Sequence, residues 1–129
     1  MIDSHCHLDV DAFDRDRGEV LARAAAAGVR GILVPAIRPR TWAALTALPD
    51  AHPGAPLALA LGIHPQVVPE LDADERAVIP RLAEALGAAM TPRVVAIGEC
   101  GLDGGTAEME QQIAALRAPR GRARCGCPW

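Results

Sequence analysis

Apolar positions along the 129-residue chain alternate between short β-branched runs and longer stretches with helical spacing, four times over. "MIDSHCHL" reads as a short strand, followed by the acidic loop "DVDAFD". A helix is predicted over "RGEVLARAAAA", with Asp16 and Glu19 spaced as a capping box and Gly28 as its stop. "VRGILVPAI" follows as a buried strand of the kind found in parallel sheets. A second helix, "PRTWAALTAL", is expected to start at Pro39 and end at Pro49. "PLALALGIHP" is the third strand. "DADERAVIPRLAEALGAAM" is helical in pattern, but Pro80 in its middle costs about 3 kcal/mol and should kink or split it. "PRVVAIGECGLD" runs from a fourth strand into a loop. "TAEMEQQIAALRA" is the fourth helix, with Glu108 and Glu110 near its positive end.

No tight hairpin signal separates the strands. Right-handed β-α-β crossovers therefore predict an α/β fold, a parallel sheet covered by helices. Four units fit either an open sheet or half of an eight-unit barrel, and periodicity does not choose between them. In both, ligands gather beyond the carboxyl ends of the strands.

Composition narrows the class. Half the residues are hydrophobic, enough for one domain with its own core. No apolar run approaches the roughly 20 residues of a membrane span, and "MIDSH" does not read as a signal peptide, so a cytoplasmic protein is expected. The four cysteines lack the spacing of a disulfide framework and read as reduced thiols. A net charge of -3 argues against a general nucleic-acid-coating protein, though not against a metalloenzyme that meets phosphates through its cations. All 13 basic residues are arginine and alanine abounds, which suggests GC-rich coding sequence. With only Phe13, Trp42 and Trp129 as aromatics, the core must be built from Ala, Leu, Val and Ile.

The chemically interesting residues fall at the predicted strand ends. Residues two apart on a strand share a face, so His5 and His7 point the same way, about 6.5–7 Å apart at the backbone. Their imidazoles can lean onto one cation. Cys6 points the other way and reads as packing. His64 ends the third strand, Glu99 ends the fourth, and Asp103 follows in "GLD". His52, in "DAHPG", reads as exposed loop without a role. The only serine, Ser4, lies on the wrong face to pair with His5, which disfavours a Ser-His nucleophile. No glycine-rich phosphate loop is present. A cation that lowers the pKa of water from 15.7 to about 7 supplies on the order of 12 kcal/mol of differential stabilisation, more than any other feature here could. Hydrolysis by metal-activated water is the expected chemistry.

"DSHCHLD", "GIHP" and "AIGECGLDGGTAEMEQQ", in that order, resemble the TatD family of metal-dependent deoxyribonucleases and related hydrolases. The resemblance covers about residues 1–117. It implies the first half of a TIM-type (β/α)8 barrel, a pair of divalent metal ions (Mg, Mn or Zn), and phosphodiester hydrolysis from a DNA 3′ end. His5 and His7 would then bind the first metal, and Glu99 would bridge the two as a catalytic ligand. His64 would face the substrate, and Asp103 would support the site.

The chain departs from that pattern after Leu116. The family continues into strands that donate two further histidines and a later aspartate, whereas no histidine follows His64 here. Residues 118–129, "APRGRARCGCPW", turn basic and rich in Gly, Pro and Cys, as a shifted reading frame in GC-rich sequence would. The expectation is a truncated half-barrel with at most one metal, little nuclease activity, and open sheet edges that invite self-association. Two other readings stay open. One is an amidohydrolase-like enzyme on another substrate; the other is a non-catalytic fragment that binds metal or associates with itself.

Overall fold

The computed structural model describes residues 1–118. Four strands, β1 (Ile2–Asp3), β2 (Gly31–Pro35), β3 (Leu57–Leu61) and β4 (Val94–Ile97), pair in parallel in the order β1-β2-β3-β4. Between and after them run α1 (Arg17–Ala26), α2 (Trp42–Ala51), α3 (Ala73–Val78), α4 (Leu82–Ala89) and α5 (Met109–Arg117). The alternating β/α order is the one the hydrophobic runs predict. The sheet stays unclosed. The basic tail expected over 118–129 lies, from residue 119 onward, outside the described residues. Among the described residues, no helix is long and apolar enough to cross a membrane.

The core lies between one face of the sheet and its helices. Ile32 and Val34 on β2, Leu57, Leu59 and Leu61 on β3, and Val94 on β4 are all buried there. Leu45 of α2, Leu82 and Leu86 of α4, and Ala115 of α5 pack against them. Aliphatic side chains thus do the work that aromatics do elsewhere, apart from Trp42, whose indole N–H donates to the Gly62 carbonyl at 3.2 Å. Leu59 pairs with Val94 and Ala60 with Ala96, leaving Val95 as the extra residue of a bulge.

Three local expectations need correction. The first strand is much shorter than "MIDSHCHL". As an edge segment it has one neighbour, and the Asp3 carboxylate takes the His5 N–H at 3.1 Å, diverting that donor from the ladder. Cys6 nevertheless donates to Leu33 at 3.1 Å, so the segment keeps running alongside β2. The capping box at Asp16 is absent, because Arg23 draws both Asp16 (3.3 Å) and Glu19 (3.7 Å) to itself. The capping box forms instead at Asp72 and Glu75, ahead of α3. Finally, α2 runs through Pro49 to Ala51. Pro49 gives up its own bond to the preceding turn, but Leu45, Leu48 and Pro49 are buried, and the His52 N–H closes the turn on Leu48 and Pro49.

Two expectations hold. Gly28, just past α1, has φ +86°, the left-handed conformation that glycine adopts freely. Pro80 splits its helical stretch into α3, a 3-10 turn at Ile79–Arg81, and α4.

One buried ion pair ties these layers together. The Arg38 guanidinium grips Glu75 through two bonds, Nε to Oε1 at 2.9 Å and Nη2 to Oε2 at 2.5 Å. Both residues are buried, and the Arg40 N–H also donates to Glu75. The Glu75 carboxyl is lowered to about 2, chiefly by its hydrogen bonds with Arg38.

Candidate metal centre

The end of β2 sets the rim of the sheet. Its continuation offers carbonyls to each flanking segment: Ala36 accepts from the Glu99 N–H at 3.0 Å, and Ile37 from the His64 N–H at 2.9 Å. Leu33, one turn of the pleat earlier, accepts from Cys6 between the two amino-terminal histidines. Three segments that are distant in sequence are thereby held at one level. The glycine of "GIHP" has a specific part in this. A Cβ on Gly62 would sit 2.2 Å from the Glu99 carbonyl oxygen, so the two motifs approach as closely as they do only with glycine there.

The side chains converge as the strand-end reading predicts. His5 Nε2 lies 3.2 Å from Glu99 Oε1, His7 Nε2 lies 3.5 Å from Glu99 Oε2, and the two Nε2 atoms are 3.2 Å apart. The rings meet edge to face, with centroids 5.0 Å apart. One ligand atom from each of His5, His7 and Glu99 fits within a 4.8 Å span. Glu99 Oε2 is buried and has no hydrogen-bond partner. An orphaned buried carboxylate oxygen is costly unless something positive completes it. Two imidazole nitrogens and a carboxylate oxygen suit a divalent cation, and three protein ligands leave room for water. The donor set fits.

His64 and Asp103 lie at the same rim but outside that ligand cluster. His64 shares a cavity of about 510 Å³ with His5, Glu99, Cys100 and Leu102. Asp103 accepts from the Gln66 amide at 2.7 Å and from the Gly105 N–H at 2.9 Å, and these bonds hold its carboxyl below the usual carboxylate range. Cys6 is half-buried in the packing, its thiol pushed up first by burial and then by Asp3 and Asp9. His52 caps the end of α2 and, beside α1, lines a separate cavity that does not include the rim residues. Sequence reasoning missed Gly62, Gln66 and Gln112. The signal for Gly62 was its place in "GIHP" and for Gln112 its place at the end of "AIGECGLDGGTAEMEQQ"; Gln66 carried none.

Fold and site together define a parallel β/α protein whose strand ends gather a candidate metal centre. The chain belongs to the TatD related DNase family, whose match covers residues 2–124. It is 40% identical over 102 residues to the uncharacterized metal-dependent hydrolase YjjV of Escherichia coli, covering 79% of this chain and 37% of that protein. It is 36% identical over 120 residues to the 3'-5' ssDNA/RNA exonuclease TatD of Erwinia billingiae, covering 92% of this chain and 43% of that protein. The crystal structure of YjjV superposes with a TM-score of 0.70 at 35% identity, over 92% of this chain and 44% of the other. A TatD family hydrolase from Entamoeba histolytica shares the fold, with a TM-score of 0.66 at 23% identity. The chain thus spans less than half the length of the relatives it matches.

Proposed function

We propose that this chain carries the first metal site of a TatD-type hydrolase and that its chemistry is phosphodiester hydrolysis of DNA from a 3′ end. The observation that supports this most is the convergence of His5, His7 and Glu99 around an unpartnered buried oxygen. Those three residues would hold one Mg, Mn or Zn ion, which supplies Lewis-acid activation of water and charge neutralisation at phosphate. Glu99 offers a second oxygen for bridging. His64 faces substrate across the shared cavity, and Asp103 braces the loop that carries it. The names of the Erwinia and E. coli relatives support a nucleic-acid substrate and metal dependence. We place the protein in the cytoplasm, where the free thiols Cys6 and Cys100 stay reduced.

Metal content and nuclease activity, measured on one purified sample beside a His5→Ala control, test the reading. Binding of about one ion per chain is expected, lost in His5→Ala together with any nucleotide release the chain supports. A chain that binds no divalent ion, or a His5→Ala variant that binds as well as wild type, contradicts it.

A second reading rests on a separate observation. Ile2 on edge strand β1 and Val95 on edge strand β4 are 73% and 47% exposed, so apolar side chains flank both open edges. Self-association through those edges predicts a sedimentation coefficient that rises with concentration and drops to the monomer value in Ile2→Lys.

A further inference from the structure

We infer that Gln66 is a positioning residue that fixes the His64 ring as an N–H donor to a phosphoryl oxygen in the rim cavity, an inference that rests on the site proposed above. His64 precedes the 3-10 turn Pro65–Glu70, and its Nδ1 accepts the Gln66 N–H at 3.1 Å. Pro65 has no N–H, so Gln66 carries the first donor of that turn, and it is given to the ring and to no backbone carbonyl. A ring nitrogen that accepts is the one without a proton. A ring proton therefore sits on Nε2. That Nε2 makes no hydrogen bond among the described residues, and the ring lines the cavity beside His5 and Glu99.

The same residue anchors the turn from its side chain. Gln66 Nε2 donates to Asp103 Oδ2 at 2.7 Å, and the Asp103 N–H donates to Gln112 Oε1 at 2.8 Å. Gln112 is only 1% exposed, and its amide N–H groups donate to the carbonyls of Asp103, Thr106 and Ala107. An exposed residue at the rim is thus tied to the packed interior of α5. The histidines of the rim divide into two chemistries. His5 and His7 turn ring nitrogens toward the carboxylate and a cation, whereas His64 presents a proton. A protonated Nε2 cannot ligate a metal, but it suits an anionic oxygen. A phosphoryl oxygen is the acceptor of that kind that the proposed substrate brings to the rim.

Ring-nitrogen NMR of chain labelled with ¹⁵N-histidine tests this, using zinc alone and inorganic phosphate alone as probes. His64 is expected as the Nε2–H tautomer, unmoved by zinc while His5 and His7 shift, and moved at Nε2–H by phosphate. Gln66→Pro, which removes the N–H, should turn the His64 signal into a tautomer mixture, while Gln66→Ala, which keeps it, should not. An Nδ1–H tautomer in the wild type overturns the inference, as does a zinc shift at His64 or its indifference to phosphate. If zinc moves none of the three rings while His64 keeps its tautomer and responds to phosphate, the metal reading fails and this one stands. Should Gln66→Pro not fold, the wild-type tautomer decides.

Discussion

Glu75 and Glu99 are both shielded carboxylates facing nitrogen donors from distant parts of the chain, yet they are built for opposite ends. Glu75 is complete. Both its oxygens are taken by the Arg38 fork, and the Arg40 and Asp72 N–H groups add further donors. Glu99 is incomplete. Its neighbours are imidazoles at 3.2 and 3.5 Å, and Oε2 has no hydrogen-bond partner. A carboxylate whose lone pairs are all used holds structure together; one with a spare oxygen beside two imidazoles is suited to a cation. The distinction lies in what the partners leave unsatisfied, since burial alone does not separate the two.

Removing a partner should expose that contrast. Glu75→Gln leaves the buried Arg38 charge uncompensated and is expected to lower stability by about 3–5 kcal/mol in denaturant unfolding. It should leave zinc affinity unchanged, and an equal loss of metal binding would erase the contrast. The pH dependence follows the same logic. Because the folded Glu75 carboxyl lies below its unfolded value of 4.5, its stabilisation is full above pH 4.5 and fades as pH falls toward about 2. Unfolding midpoints measured across that window should drop in wild type and flatten in Glu75→Gln. Gly62→Ala perturbs Glu99 instead. Its Cβ must push the Glu99 carbonyl away, at a cost of about 1–3 kcal/mol, and a weaker metal site should accompany the lower unfolding midpoint. The smallest effect belongs to Arg23→Ala on the surface of α1, where loss of the exposed pairs with Asp16 and Glu19 should change stability by under about 1 kcal/mol.

Much of this was legible from residue order. Apolar runs and Gly28 placed the β/α alternation, Pro80 announced the split between α3 and α4, and the strand-end positions of His5, His7 and Glu99 marked the cluster that converges at the rim. What stayed hidden depends on pairing across the fold. Asp16 has capping-box spacing as Asp72 does, but it pairs with Arg23 in space while Asp72 is left to cap α3. Arg38 and Glu75 are 37 positions apart, and nothing local links them. Gln66 and Gln112 look like ordinary polar residues until the fold sets one beside Asp103 and buries the other. Pro49 misled because its cost is one lost bond to the preceding turn, and burial of Leu45, Leu48 and Pro49 carries the helix past it.

The central claim is that Glu99, with His5 and His7, completes its unpartnered oxygen with a divalent ion. Calorimetric titration of zinc into the wild-type chain and into Glu99→Gln tests it most directly. Binding of about one ion per chain is expected in the wild type, weakened more than about 100-fold in the variant, beyond the 10–100-fold typical of residues that only touch a ligand. Equal zinc affinity in the two proteins, with both still folded, would contradict it.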